Sequence, residues 1–547
     1  MLLSLAAFAR LPFELDSNGC VVDFQPNVNY FPFERRALVG EAVGVQPSSP
    51  RFADDFEITY FSNYKVLRNL KAKPKETWVL HHCGTPHVFP WLPDDAVNST
   101  VIEVPVQQWS TGLTIPITFM EELGLLPRAS VLSMTYVTSP CAQKLAGCDK
   151  ITSSNSSAWV STVKTSGSQV HFTDDWDTGK TGLPIDVKFD ASSDKGMLNR
   201  AEWVKFAAAF FNKEPEANLI FEGIRSRFED VNKTTQSARL SGTSSPVAAY
   251  VTYNSWESAY RISDDEYLKE SILKAGGRLI DSEFVSSWCP LTLGFHYKCA
   301  NATAIKKVLE TIDVVFDDTY PAGGDFPSYG LVEFRGLFNL SSDDATSGAY
   351  PFLSNSRLFR SDKRLSSGAN GVYGTDFFES AIPHADLFLK DVAAALYPDV
   401  FPSHVSRWMR NIALGEGTVS LTAAECTDPF TTCGASVAPP APPLDINFCL
   451  GAICSTATPP PPSPPPTPLA LQTSPPSSPI DDDDDETLPI ALSAVFGVLV
   501  LVMLVTVAYL IHRERAGKPV FVDLIQANEA MLQAEQVKAA QQSKSSS

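Results

Sequence analysis

Positive charge is scarce in this sequence. Lys and Arg together number 43 against 62 Asp and Glu, a formal net charge of -19. Without a basic footprint, bulk electrostatic capture of nucleic acid is excluded, although a local basic pocket is not. The signatures of several enzyme classes are also missing. There is no G-x-S-x-G elbow and no H-E-x-x-H pair. Neither G-x-G-x-x-G nor G-x-x-x-x-G-K-[ST] occurs, so no glycine loop is present to cradle a phosphate. The C-x-x-C and H-x-x-x-H pairs that structural zinc favours are absent. These gaps argue against an enzyme and against an intrinsic cofactor.

The chain has what a core needs. It has 547 residues, 44% apolar and 10% aromatic, too long for one ordinary domain and too apolar for global disorder. The strongest local signal is Leu488 to Ile511, an uncharged apolar run of 24 residues. A helix of that length, at ~1.5 Å per residue, spans a ~30 Å bilayer core with some tilt. The acidic run Asp481 to Glu486 precedes it, and His512, Arg513, Arg515 and Lys518 follow. Basic flanks stay cytosolic, so the bulk of the chain is expected outside and the tail inside, in a plasma or other exported membrane.

Cysteines and sequons agree with that topology. All ten cysteines precede the span, and on an oxidising side an even set suggests disulfides. Close spacing suggests Cys141–Cys148, Cys289–Cys299, Cys426–Cys433 and Cys449–Cys454, leaving Cys20 with Cys83. Spacing does not fix connectivity. Five N-x-S/T sequons, at Asn98, Asn155, Asn232, Asn301 and Asn339, also lie before the span, as in a glycosylated ectodomain. The opening MLLSLAAFAR is apolar but lacks a basic n-region, so it is expected to be an atypical export signal.

Along the chain, 1–50 is irregular. FEITYFSNYKVLRNL, from Phe56, should form two short strands around a turn; TWVLHHCG and VIEVPV are further strands, and Ile115 to Leu123 a short helix. Strands alternating with helices imply an α/β fold with a mainly parallel sheet. Trp203, Phe206, Phe210 and Phe211 form an aromatic helical stripe, expected in the core. Pro215 then sits where the first residue of a helix belongs. The expected organisation is an α/β lobe over 51–212, a linking helix over 213–239, a second α/β lobe over 240–412 and a Cys-containing tail over 413–458. A Pro-rich and acidic stalk over 459–487, the span at 488–511 and a cytosolic tail over 512–547 complete it. Of 41 prolines, 15 lie between Pro439 and Pro479, which marks that stretch as an extended spacer.

The segments FEITYFSNYKVLRNL, TWVLHHCGTP, VIEVPVQQ, GMLNRAEWVKFAAAFFNKEPEA, FLSNSRLFRSDKR, YGTDFFES and HADLFLKDVAAALYPDVFP occur in that order. The ordered set resembles the substrate-binding proteins of ABC transporters for iron chelates and cobalamin, over roughly Arg51 to Ile412. The resemblance implies two Rossmann-like lobes bridged by one rigid helix, with a ligand cleft between them at the carboxyl ends of strands. The span, the sequons and the cysteines depart from that family. So does LTIPITF, which stands where the family often carries a histidine loop.

Candidate cleft residues follow from strand ends. They are Asp175 and Trp176 in HFTDDWD, Tyr253, Asn254 and Trp256 in VTYNSWE, Asp318 and Tyr320 in VVFDDTY, and Arg364 among the late arginines. Aromatics suit a flat chelate or corrin, and Arg suits an anionic one. His81 and His82 end a strand and are candidate metal ligands, although adjacent strand residues point to opposite faces. The expected function is a cell-surface receptor for an iron chelate or a cobalamin-like complex, needing an uptake partner or endocytosis. The alternative is a membrane-anchored surface enzyme or adhesion protein reusing the fold.

The topology makes a direct prediction. Glycosidase treatment of the protein from a glycosylating host should increase its gel mobility; an unshifted band would contradict the outside placement of the sequons.

Overall fold

The computed structural model describes residues 13–31, 48–154, 158–174, 179–292, 296–345, 348–367, 372–428 and 433. All belong to one unit, Met1–Phe448; the second, Cys449–Ser547, contains none of them. Leu488 to Ile511, the Pro-rich stalk, the tail, Cys449, Cys454 and Asn155 therefore lie outside the described residues. Among the described residues no helix is long and apolar enough to cross a membrane.

The chain is α/β, but its first sheet is not mainly parallel. Strands β1 (Phe56–Tyr60), β2 (Tyr64–Asn69) and β3 (Glu76–His82) form an antiparallel meander, and β4 (Thr100–Val104) adds parallel to β3. The physical reason is connection length. Three residues join β1 to β2 and six join β2 to β3, too few for the crossover that parallel neighbours need. β2, inside the sheet, is buried at every position, whereas β1 at the edge alternates.

The second sheet fits the parallel expectation. Strands β5 (Trp109–Thr111), β6 (Ala129–Leu132), β7 (Thr152–Ser153), β8 (Val170–Thr173) and β9 (Asp186–Lys188) pair in the order β7-β6-β5-β8-β9, all parallel. The chain moves outward from β5 to β7, then returns to the other side of β5 through β8. That reversal makes the carboxyl end of β5 a topological switch point.

One helix, Glu214–Leu240, separates these strands from those that follow. Its 27 residues reach about 40 Å at 1.5 Å per residue. Pro215 lies in the first turn with Glu214 and Glu216, where a missing N–H and negative charge are both tolerated. Ala217, Phe221, Ile224, Phe228, Val231 and Thr235 form its buried stripe, at alternating spacings of four and three. Its first residue is tied to β2. Lys65 and Glu214 are both fully buried and ion-paired, and the Lys65 ammonium also donates to the Ala209 carbonyl at 2.5 Å and to Asn212 at 2.9 Å. The aromatic stripe is core as expected: Trp203, Phe206, Phe210 and Phe211 are buried, with Phe56 and Phe189 edge-on to Trp203.

Beyond the helix come β10 (Val247–Asn254), β11 (Ala259–Ser263), β12 (Arg278–Leu279), β13 (Leu291–Thr292), β14 (His296–Cys299), β15 (Val314–Asp317), β16 (Leu358–Arg360), β17 (Arg364–Ser367), β18 (Tyr373–Thr375), β19 (Arg410–Asn411) and β20 (Val419–Leu421). The larger sheet runs β13-β14-β11-β10-β15-β16-β19, with β12 also on β10. Its centre, β10-β15-β16, is parallel. A small sheet, β18-β17-β20, stands beside it.

Two disulfides match the sequence expectation, Cys20–Cys83 and Cys289–Cys299. Two do not. Cys141 pairs with Cys426 and Cys148 with Cys433, each 285 residues away. Cys141 begins the helix Pro140–Gly147 and Cys148 caps its end, so seven residues of helical rise hold them about 10 Å apart, beyond bonding range. Of the sequons, Asn98, Asn301 and Asn339 are exposed and Asn232 is half-buried on the long helix.

The buried ion pair generates a prediction. Lys65→Met leaves the Glu214 carboxylate without its partner and should destabilise by ~3–5 kcal/mol, whereas Lys65→Met with Glu214→Leu should recover most of the loss. Urea midpoints of the two variants check this; equal losses would show that the pair does not anchor the helix.

Candidate functional site

The strand ends of both halves converge on one cleft of about 420 Å³. From the first half come Gly112, Leu113 and Thr114, just past β5, and Tyr136, past β6. From the second come Asp317 to Tyr320 at and beyond the end of β15, Arg360 to Asp362 at and beyond the end of β16, and Phe326, Tyr373, Thr375 and Phe378. This is the switch-point position at which open α/β sheets present their loops.

The second half supplies a charged floor. The Arg360 guanidinium donates to Asp317 at 2.6 Å, to Asp362 at 2.8 Å and to the Thr319 carbonyl at 2.9 Å. Arg410 grips the other side of Asp362, at 2.6 and 3.0 Å, and donates to the Tyr329 carbonyl at 2.7 Å. Tyr329 lies flat under Arg360, with the guanidinium carbon 3.8 Å from its ring centre, a cation–π contact. Two arginines and two aspartates, all buried, thus neutralise one another.

Asp318 stands outside this network. Among the described residues no hydrogen bond to its carboxylate is made, and it faces water at the cleft wall. The protein packed around the cleft wall limits its hydration and pushes its carboxyl above the ordinary range; Asp317 pushes the same way and Arg360 opposes. Aromatics stand around it. Tyr136, Tyr320 and Phe378 are 55, 66 and 63% exposed, and Tyr320 meets Phe326 edge-on at 5.4 Å. Large rings left in water at one cleft are an interaction surface rather than a core.

The two halves are interlocked beside the cleft. The Glu379 carboxylate accepts the backbone N–H groups of Thr138 and Ser139 at 2.6 and 2.8 Å. Asp376 accepts from the Thr138 hydroxyl at 3.1 Å. The Tyr136 carbonyl comes so close to Gly374 that a Cβ there would sit 2.2 Å from it, so only glycine fits.

The sequence-derived candidates are spread more widely than this cleft. Asp318 and Tyr320 line it. Asp175 and Trp176 lie outside the described residues. Tyr253, Asn254 and Trp256 do not line it, because β10 runs on into a hairpin with β11. Tyr253 stacks at a tilt on Tyr260 and donates its N–H to Thr319 at 2.9 Å. Asn254 accepts the Glu257 N–H at 3.1 Å to shape the turn, and Trp256 is 94% exposed at its tip. Arg364 pairs with Asp376 at 3.2 Å. His82 is buried among Phe13, Tyr30 and Phe31, beside the Cys83 carbonyl. The lining residues not singled out beforehand include Leu113, Asp362, Tyr373 and Phe378. Asp362 sits in FLSNSRLFRSDKR, and Tyr373 and Phe378 in YGTDFFES, so their signal lay in a segment pattern and not in strand-end placement; Leu113, in LTIPITF, carried no such signal.

No family model and no curated protein matches the chain. Solved structures do. A periplasmic heme-binding protein from Pseudomonas aeruginosa is similar at 12% identity over 54% of this chain and 93% of that one, with TM-score 0.35. A petrobactin-binding protein from Bacillus subtilis is similar at 11% identity over 53% and 92%, with TM-score 0.39. A possible iron-binding periplasmic solute-binding protein from Staphylococcus epidermidis is similar at 8% identity over 54% and 99%, with TM-score 0.38.

The raised Asp318 carboxyl fixes the sign of a pH effect. Its folded pKa exceeds the ordinary 3.8, so the folded chain binds the proton more tightly than the unfolded one. Its contribution is therefore complete below about pH 4 and lost as pH rises through its raised folded pKa. Asp318→Asn should flatten stability against pH across that window. Parallel wild-type and variant curves in denaturant titrations would refute the assignment.

Proposed function

We propose that the chain is a solute-binding receptor, with two Rossmann-like lobes bridged by the helix Glu214–Leu240 and its ligand held in the cleft between them. The observation that carries this reading is the convergence of exposed aromatics from both halves, Tyr136 against Tyr320 and Phe378, around the unpartnered carboxylate of Asp318. Aromatic walls with a few placed polar groups are the usual make-up of a small-molecule site, and 420 Å³ lies towards the small end of the ~300–1,000 Å³ range.

The charge pattern sorts the ligands expected from sequence. The arginines at the floor are committed to aspartates, and Arg364 is committed to Asp376. No free guanidinium among the lining residues awaits an anion, and Asp318 adds negative charge. A neutral or cationic metal complex is favoured over a polyanionic one, by like-charge repulsion. A ferric hydroxamate chelate suits the volume better than a whole corrin, which would be only partly enclosed. In this reading the span at 488–511 anchors the receptor with its bulk outside, and uptake needs a partner or endocytosis, because one span makes no channel.

Calorimetric titration with a neutral ferric hydroxamate, cyanocobalamin and an anionic ferric catecholate tests the proposal. The hydroxamate should bind and the catecholate should bind least. Tyr320→Ala and Phe378→Ala should each weaken binding by ~1–3 kcal/mol, as truncated aromatic anchors do, while Trp256→Ala should leave it unchanged. Binding of none of the three, together with turnover of another substrate, would favour an enzyme.

A further inference from the structure

A second cluster of ligating side chains lies on the first sheet, and none of its residues lines the cleft. The parallel pairing of β3 with β4 sets His81 directly opposite Glu103. The chain then leaves β3 through a turn pinned on two sides. Cys83 is bonded to Cys20, and Gly84 holds a φ of +76° with the Val21 carbonyl where a Cβ would project. The turn returns His87 to His81, with their ring centres 4.2 Å apart. One nitrogen from each imidazole and one Glu103 oxygen lie within 4.8 Å of one another.

The hydrogen bonds around His81 fix which nitrogen is open. Nε2 lies 2.9 Å from the Thr85 hydroxyl and 3.1 Å from the Pro86 carbonyl. The Thr85 hydroxyl already gives its own hydrogen to the His82 carbonyl at 2.7 Å. Both neighbours of Nε2 are therefore acceptors, and Nε2 carries the proton. Nδ1 is left with a bare lone pair, and it is buried with no hydrogen-bond partner. His81 itself is fully buried. A buried acceptor facing no donor is costly and uncommon in a folded chain. A cation removes that cost, and an imidazole whose other N–H is held by a backbone carbonyl is the usual arrangement around a bound metal.

We propose that His81, His87 and Glu103 form a site for a divalent transition-metal cation, with zinc as its first candidate. Two imidazoles and one carboxylate suit Zn²⁺, Ni²⁺ or Cu²⁺, whereas Ca²⁺ and Mg²⁺ prefer all-oxygen shells. Donors around tetrahedral zinc stand ~3.3 Å apart. His87 and Glu103 are exposed, so rotation of their side chains closes the gap onto the fixed His81. Water completes the shell. The site pairs His81 with His87 in place of the adjacent His82, which faces the opposite side of the strand.

The test uses the full chain, stripped with a chelator and titrated calorimetrically with Zn²⁺ in the presence of excess Mg²⁺. One equivalent should bind and should raise the thermal midpoint, because metal bound only by the folded state stabilises it. His87→Ala and Glu103→Ala, both at exposed positions, should each cut affinity at least tenfold. The double variant should lose both the equivalent and the Zn²⁺-induced rise, with its metal-free midpoint unchanged. Co²⁺ in place of Zn²⁺ should give visible absorption that the double variant lacks. Zn²⁺ binding that survives the double variant, or no binding of Zn²⁺, Ni²⁺ or Cu²⁺, overturns the proposal. Binding of chelates in the cleft should not differ between wild type and double variant, so the two sites fail or stand separately.

Discussion

The guanidinium of Arg360 is the constraint on which the cleft depends. It lies at the end of β16, reaches the end of β15 through Asp317, and joins β19 through Asp362 and Arg410. Three strand ends are thereby fixed by charge-assisted bonds inside a dry floor, where such bonds are strong and their loss is expensive. The loop carrying Asp318 and Tyr320 starts from that floor, and the Thr319 carbonyl is one of the groups Arg360 holds. Because Arg360 and Arg410 hold Asp317 and Asp362, the one carboxylate among the described lining residues left without an arginine is Asp318. The same network therefore sets both the shape of the cleft and which carboxylate is left open on its wall.

Local periodicity made much of the frame legible from sequence. The period-two pattern of FEITY and the buried run of YKVLRN lie in β1 and β2. Pro215 marks the start of the long helix to within one residue. What periodicity could not supply was pairing across distance. Cys141 and Cys148 are seven residues apart, yet the helix between them directs each to a partner 285 residues on. His81 and Glu103 become neighbours only through the β3–β4 register, which no spacing rule reports.

The cleft shows the same division. Strand ends located Asp318 and Tyr320, because β15 stops at Asp317 and its loop turns into the cleft. The identical rule misplaced Trp256, because β10 continues into a hairpin instead of a crossover. Phe378 and Tyr136 follow no strand pattern. They reach the cleft because Glu379 clasps the start of the helix Pro140–Gly147 and Gly374 lets the Tyr136 backbone touch it. Such contacts between halves are the product of the whole fold.

The two long-range disulfides carry a further consequence. Cys141–Cys426 and Cys148–Cys433 close the chain from residue 141 to 433 into covalent rings, with the long helix, both sheets of the second half and the Arg360 floor inside them. A protease that cuts anywhere between residues 149 and 425 severs the backbone once but releases nothing, since both fragments remain bolted together at two points. Damage to an exposed loop within the rings would leave the cleft's walls in register, because the fragments on either side of the nick stay covalently joined.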